Sequence, residues 1–182
     1  MLALLSSRCI FGALLIAHLQ PHAHLASDLT YVRVLSVWHC IRLLVDLASR
    51  EIVGHAAGAR KDAKLVKSAF AAVAFPLFDI DVFHSDRGPE LDSMALGEMF
   101  EVFGITGSLS EKGCPCDNAV VKSADKMLKA EFVYRESFGS LEELQVKLSD
   151  YVWWYNHDRV LSTLDYMSPV EFREKSLTLM SK

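Results

Sequence analysis

Three short segments in the first third of the chain have the hydrophobic pattern of β-strands. From Ala26 onward, β-branched and aromatic residues alternate with polar ones as far as Leu35. Two more apolar segments, 38–46 and 51–57, follow after short polar connections. Because connections this short join antiparallel neighbours, the pattern predicts a three-stranded meander.

The spacing of apolar residues changes after Gly58 and predicts helices alternating with strands. Apolar positions recur every three or four residues after Asp62, a residue suited to cap a helix, and Pro76 ends this pattern. The elements predicted next are a strand at 79–83, a helix at 91–103 closed by Gly104, a strand at 105–109, helices at 119–134 and 140–156, and a short helix at 168–174. The order β-β-β-α-β-α-β-α-α predicts an α/β fold, a mixed sheet covered by helices.

The segment 83–88 is the first candidate for chemistry. An apolar strand runs into Asp86, and Gly88 follows to break the extended run. Ligands and catalytic groups collect at the carboxyl ends of strands in α/β sheets. Asp86 is therefore predicted to act in a site, and a helix-capping role is the alternative.

Composition predicts an ordinary globular domain. The 182 residues are 51% hydrophobic and 23% charged, which allows a substantial core. A net charge of −4 argues against a surface that attracts nucleic acid everywhere, although local basic stretches remain compatible with it. Four irregularly spaced cysteines predict reduced thiols and a cytoplasmic location. Cys114 and Cys116 would make half of a zinc site, but the sequence has no second pair.

Residues 1–25 form an atypical apolar segment. Its apolar stretches are short for a membrane span. Arg8 and the tract 20–27 give only a poor signal peptide, so membrane association is not expected. Secretion or anchoring stays open beside a segment that packs on the domain.

Five motifs occur in order along the rest of the chain. They are Ser27-Asp28-Leu29-Thr30-Tyr31-Val32, Val45-Asp46-Leu47-Ala48-Ser49-Arg50-Glu51-Ile52-Val53-Gly54, Phe83-His84-Ser85-Asp86-Arg87-Gly88, Gly113-Cys114-Pro115-Cys116-Asp117-Asn118-Ala119, and Tyr155-Asn156 with Tyr166-Met167-Ser168-Pro169-Val170-Glu171-Phe172. Together they resemble the integrase-like catalytic core of bacterial insertion-sequence transposases, Asp-Asp-Glu recombinases of the retroviral integrase superfamily. The resemblance implies a ribonuclease H-like fold over residues 26–175, followed by a tail at 176–182.

The resemblance also implies DNA integration and transposition by metal-dependent phosphodiester strand transfer. Such chemistry uses divalent ions to activate the attacking oxygen and to stabilise the leaving one. Hard ions such as Mg²⁺ or Mn²⁺ prefer carboxylate oxygens, and by resemblance Asp28 and Asp86 are the first two catalytic ligands. The implied partners are DNA, as transposon ends and target, and a second copy of the chain or a full-length transposase. No small-molecule substrate is expected.

Lys122 occupies the position where the family has its third acidic residue, a Glu. An ammonium about 5 Å from a divalent ion is repelled by on the order of 6 kcal/mol at a dielectric of 20, and a protonated lysine cannot ligate. We therefore expect weakened metal binding and impaired strand transfer. Asp125, one turn along the same helical face, is the candidate substitute.

Several other residues are candidate DNA contacts. The nucleic-acid-binding residues implied are Lys112, Asn118, Lys126, Lys129 and Arg159. An ordinary solvated lysine face is the alternative for those on the helix. His84 is expected to orient Asp86, to contact substrate or simply to pack. Trp153, Trp154 and Tyr155 are expected in the core or a subunit interface rather than in base stacking.

Further departures from the family pattern occur at Val121, Leu161 and Asp165, and the apolar segment 1–25 stands where the family has a helix-turn-helix. These features predict a degenerate copy of a transposase gene. Two alternatives stay open, an active metal nuclease or recombinase that uses Asp125, and a non-catalytic DNA-binding or oligomerisation domain.

Overall fold

A computed structural model describes residues 19–86, 88–91, 93–110 and 119–180. The strands are β1 His24–Val34, β2 Val37–Asp46, β3 Ile52–Gly58, β4 Val82–Ser85 and β5 Thr106–Leu109. The helices are α1 Ala63–Ala71, α2 Met94–Phe103, α3 Ala119–Leu128, α4 Leu141–His157 and α5 Pro169–Met180.

The five strands form one mixed sheet in the order β3-β2-β1-β4-β5. The predicted meander is confirmed, because β1, β2 and β3 pair antiparallel. Strands β4 and β5 extend the sheet in parallel from β1. Helix α2 makes the crossover that a parallel β4–β5 pair requires. The mixed sheet covered by helices is therefore as the sequence predicts.

Side chains at alternate positions of the strands pack into two separate hydrophobic cores, one on each face of the sheet. Leu25 and Leu44 pack with α1 and α2 on one face, where the rings of Phe70 and Phe83 make an edge contact with centroids 5.1 Å apart. Ala26 lies on the opposite face with residues of α3 and α4. Helices therefore cover both faces of the sheet, and α3 lies on the Ala26 face.

Strand β4 begins later than predicted. Residues Leu77–Asp79 form a 3₁₀ turn, because the Asp79 N–H bonds the carbonyl of Pro76. The N–H groups of Asp81 and Val82 both reach the carbonyl of Ala23, and pairing with β1 starts only there. The predicted strand at 79–83 is thus shifted to Val82–Ser85.

Two helix boundaries also differ from prediction. The helix predicted at 119–134 is α-helical only to Leu128 and continues as a π-helical turn, Lys129–Val133. That wider turn buries both Leu128 and Phe132. Helix α5 continues to Met180 instead of ending at Glu174.

Asn156 joins α4 to the start of β3. Its Oδ1 accepts from the N–H of Ile52 and its Nδ2 donates to the carbonyl of the same residue, both at 2.9 Å. The side chain thus continues the ladder of an edge strand. Tyr155 beside it is buried, whereas Trp153 is 58% and Trp154 40% exposed. A core position for the two tryptophans is therefore wrong, and a subunit interface stays a prediction.

The N-terminal residues 1–18 and the motif residues 111–118 lie outside the described residues. Leu19 packs against the core on the Ala26 face. In the described part of the chain, no helix has the length and apolar character needed to cross a membrane.

Candidate catalytic centre

Asp28 and Asp86 lie side by side at the centre of the sheet. Strands β1 and β4 are parallel, with Ser27 opposite Ser85. Asp28 follows Ser27 on β1, Asp86 comes directly after the end of β4, and the charge of Asp86 acts on Asp28. Side chains at matching positions of neighbouring strands leave the same face of the sheet. That face is the one that α3 covers, since Ala26 and His84 are also opposite each other.

The surroundings of Asp28 disfavour its negative charge. Burial has the largest effect and raises the pKa of Asp28, and the nearby charges of Asp125 and Asp86 raise it further. The Leu29 N–H, 2.8 Å from Oδ1, and the ammonium of Lys129 act in the opposite direction. An additional cation at this position would relieve the repulsion among the carboxylates.

Asp125 is the third carboxylate that the structure brings near Asp28. It is only 9% exposed, and its charge affects Asp28 more than that of Asp86 does. Lys129, one helical turn farther on, donates to its Oδ2 at 2.5 Å. Burial alone would lower the pKa of Lys129, but Asp125 outweighs burial and raises it. Lys122, which the resemblance predicts at the third acidic position, is exposed.

The donor set fits a hard divalent ion only in part. Asp28 and Asp86 supply two carboxylates, the ligands such ions prefer, close enough for their charges to interact. The third carboxylate, that of Asp125, forms an ion pair with the ammonium of Lys129. Among the residues described, no three Asp, Glu, His or Cys side chains converge closely enough to hold a metal ion.

A buried ion pair lies beside the two aspartates. Arg42 on β2 donates through Nη1 to Ser27 Oγ at 3.1 Å and through Nη2 to Glu90 Oε1 at 2.7 Å. Lys61 approaches the other oxygen of Glu90 at 3.9 Å. The charge of Asp28 also acts on Arg42. The pair therefore connects the residue before Asp28 to the segment after β4.

The sequence alone does not predict this ion pair. The feature of the sequence that indicates a buried ion pair is Arg42, a charged residue inside the apolar run 40–45. A charged residue in a buried strand requires a buried partner. Sequence spacing does not indicate that the partner is Glu90, because the two are 48 residues apart.

His84 is connected to Asp86 through a serine. Its ring is fully buried, with Nδ1 3.0 Å from Ser108 Oγ and Nε2 3.1 Å from Ser110 Oγ. The Ser110 hydroxyl in turn donates to Asp86 Oδ1 at 3.3 Å. Of the roles expected for His84, orienting Asp86 and packing are compatible with this burial, whereas contact with substrate is not.

The predicted DNA-contact residues have different surroundings. Lys126 is exposed, whereas Lys129 is bound to Asp125. Arg159 makes a bidentate pair with Glu131, in which Nη2 to Oε1 is 2.7 Å. Lys112 and Asn118 lie outside the described residues.

The two halves of the chain match models of one family. The model described as integrase core domain matches residues 18–115, and a second model with that description matches residues 123–177. The chain belongs to the integrase core domain family. The resemblance seen in the sequence is thus confirmed, and the two aspartates of this integrase core lie within the first match.

Relatives of this integrase core domain are bacterial transposases. Transposase InsF for insertion sequence IS3A of Escherichia coli (strain K12) is 31% identical over 160 residues, which make up 86% of this chain and 56% of the relative. The transposase for insertion sequence element IS904 of Lactococcus lactis subsp. lactis (strain IL1403) is 30% identical over 158 residues, or 85% and 62%. The chain thus spans less than two thirds of these relatives.

Solved structures with the same fold are retroviral. The HTLV-2 integrase catalytic core domain in complex with magnesium, in its trimeric form, has a TM-score of 0.67 at 16% identity and covers 85% of this chain and 98% of its own. A chain of the simian T-cell lymphotropic virus intasome in complex with the PP2A regulatory subunit B56 gamma has a TM-score of 0.72 at 17% identity, covering 85% and 55%. The integrase core domain therefore has a ribonuclease H-like fold, as the resemblance implied.

Proposed function

We propose that this integrase core domain acts in DNA integration and transposition, as part of a transposase whose strand-transfer capacity is impaired. The observation that carries the proposal is the parallel pairing of β1 with β4, in which Ser27 lies opposite Ser85, together with the effect of the charge of Asp86 on Asp28. Adjacent carboxylates at one face of a sheet suit metal-dependent phosphodiester chemistry. The names of the bacterial relatives support DNA as the substrate.

Asp28 and Asp86 are the proposed ligands of Mg²⁺ or Mn²⁺. A bound ion would polarise the phosphodiester and activate the attacking oxygen. In the protein, Ser110 would orient Asp86, and the Leu29 N–H would fix the carboxylate of Asp28.

Impairment follows from the charges around this pair. The three carboxylates Asp28, Asp86 and Asp125 carry three negative charges, and Lys122 and Lys129 on α3 return two positive ones. The resulting net charge of −1 attracts divalent cations far less than the net charge of −3 of a site with three carboxylates and no lysine.

Restoration of the acidic residue tests the proposal. The whole chain and its Lys122→Glu variant are compared for nicking of supercoiled plasmid with Mn²⁺ and with EDTA. We expect near-background nicking from the original chain and a metal-dependent gain of at least about tenfold from Lys122→Glu, as expected when a divalent-ion ligand is supplied. Lys126→Glu, with the same charge change at an exposed neighbouring position, should give no gain. A folded Lys122→Glu protein without metal-dependent nicking would refute the proposal.

An active nuclease that uses Asp125 is the second candidate. The burial of Asp125 and its effect on Asp28 favour it. In that case the original chain would nick DNA with Mn²⁺, and Asp125→Asn would abolish the activity. Background activity in both proteins would reject this candidate.

The proposed partners are transposon ends, target DNA and either a second copy of this chain or a full-length transposase, with the cytoplasm as the location. Related core domains have been solved in trimeric and dimeric forms, which supports self-association. A non-catalytic DNA-binding or oligomerisation role would be favoured if the chain co-purified with a full-length relative while Lys122→Glu stayed inactive.

A further inference from the structure

A small pocket lies beside α3, away from the two aspartates. Its volume is about 240 Å³, and it is bounded by the β2–β3 turn, α3 and the segment 161–163. Arg50 is its cationic lining residue. Hydroxyl groups of Ser123, Tyr155, Ser162 and Thr163 also line it.

The guanidinium of Arg50 has no partner within the described residues. Its Nη1 is buried and makes no hydrogen bond, and no ion pair of the described chain includes it. Asp46 is the acidic group whose charge acts on Arg50. Its carboxylate oxygens accept hydrogen bonds from other groups, the N–H of His22 and the N–H and hydroxyl of Ser49. Among the described residues, Asp46 and Arg50 therefore form no ion pair.

The turn does not need the Arg50 side chain. Its backbone is left-handed, with φ of 65°, and its N–H donates to the carbonyl of Asp46 at 2.9 Å. The carboxylate of Asp46 fixes the rest of the turn through Ser49. The side chain of Arg50 is thus directed into a pocket without a structural partner there.

A partly buried cation without a partner is costly to the folded protein. Burial is the main effect on Arg50 and lowers its pKa, while the charge of Asp46 opposes this. Buried polar groups without partners are rare in folded proteins. An anion that entered the pocket would supply the missing partner.

Shape and chemistry favour a phosphate group as this anion. A guanidinium donates two parallel hydrogen bonds to phosphate oxygens. The hydroxyl groups around it are further donors, and Tyr155 stays protonated because burial raises its pKa to about 12. The volume is below the roughly 300 Å³ at which small-molecule sites begin, so the pocket suits one group of a larger molecule.

We propose that the Arg50 pocket binds one backbone phosphate of DNA. The inference rests on the proposed function, since it takes DNA as the ligand. Helix α3 links the pocket to the carboxylates, because Ser123 of the pocket and Asp125 near Asp28 both lie on it. Side chains two residues apart leave different faces of a helix, so a strand held by Arg50 would lie across α3 from the carboxylates.

The salt dependence of DNA binding tests the proposal. Affinity of the whole chain for a labelled duplex is measured in EDTA at several salt concentrations. Each phosphate contact contributes about 0.9 to the slope of log affinity against log salt, so Arg50→Met should lower that slope by about 0.9. Arg60→Met removes the same charge from an exposed position and should leave it unchanged.

A second variant covers the case in which Arg50→Met does not fold. Ser123→Asp places a carboxylate in the pocket and should lower the slope by a similar amount, whereas Ser68→Asp on the exposed side of α1 should not. Equal slopes for original and pocket variants would refute the Arg50 site while leaving DNA binding intact. Absence of DNA binding by the original chain would refute the proposed function and this inference together. Arg50-dependent thermal stabilisation by inorganic phosphate, with unchanged DNA slopes, would identify a free phosphate site and refute DNA as the source.

Discussion

Arg42 and Glu90 form an ion pair in the interior of the protein, with Nη2 2.7 Å from Oε1 and side chains only 2% and 5% exposed. The pair joins β2 to the segment that follows Asp86. Arg42 also donates to Ser27, the residue before Asp28. The two strands that deliver the aspartates are therefore tied together by charge as well as by backbone pairing.

Removal of one member of this pair should be strongly destabilising. Glu90→Leu leaves the guanidinium of Arg42 buried without its carboxylate, a loss of about 3–5 kcal/mol in the free energy of unfolding. Urea denaturation monitored by circular dichroism measures it.

The double variant Arg42→Met with Glu90→Leu is the matched control. Because both charges are gone, it should recover most of the loss and lie within about 1.5 kcal/mol of the original chain. If the loss of unfolding free energy in the double variant equalled the sum of the losses in Glu90→Leu and Arg42→Met alone, the two residues would not be coupled as their geometry implies.

Asp28→Asn should stabilise the protein when no metal is added. Asp125 and Asp86 repel the charge of Asp28, and an Asn oxygen still accepts from the Leu29 N–H. We expect a gain of about 0.5–1 kcal/mol in EDTA, measured by thermal unfolding, because the substitution removes a charge that its surroundings disfavour. The same substitution should remove any stabilisation by Mn²⁺. A loss of stability in EDTA would contradict the repulsion.

Gly54→Ala should destabilise the contact between β3 and α1. A Cβ at this position would lie 2.5 Å from the carbonyl oxygen of Ala69 and 2.9 Å from Leu44 Cδ1. Because a backbone oxygen cannot move aside alone, we expect a cost of about 1–3 kcal/mol in urea denaturation. Gly97→Ala, where a Cβ meets nothing within 4 Å inside α2, should instead add about 0.5–1 kcal/mol. Equal effects of the two substitutions would exclude a steric cause.

The Glu131–Arg159 pair should make the free energy of unfolding decrease as the pH falls through the acid range. Hydrogen bonds from Arg159 are the main cause that lowers the pKa of Glu131 below its ordinary 4.5. Above pH 4.5 the carboxylate is ionised in the folded and the unfolded chain, so the pair contributes fully, about 1–2 kcal/mol for a bidentate pair. Below that value the unfolded chain takes up a proton first, and the contribution declines until the folded chain is protonated too.

Glu131→Gln measures this contribution. The difference in unfolding free energy from the original chain should be largest near neutral pH and shrink as pH falls below 4.5. Glu136→Gln, which changes the charge of a more exposed acid, should show a smaller difference. A difference that is constant with pH would mean that the Arg159 contact has another origin.

Local patterns were sufficient for most of the fold. Asp62 caps the helix that it was expected to cap, Ser140 caps the helix predicted at 140–156, and Gly104 adopts the left-handed backbone that ends α2. These signals act within a few residues of the element they define, so a sequence contains them in full. The shifted start of β4 depended on the carbonyl of Ala23, a partner that no local pattern indicates.

By itself the sequence determined the mixed sheet and the family, because strand periodicity, short connections and motif order are properties of the chain. It also predicted the site aspartates and the replacement at Lys122. Tertiary structure decided that Asp125 with Lys129 lies near Asp28, that Arg42 and Glu90 pair, and that Arg50 lines a pocket without a partner. Each of these depends on side chains that come from different elements. Their meeting is fixed by how helices pack on the sheet, and residue spacing along the chain does not encode it.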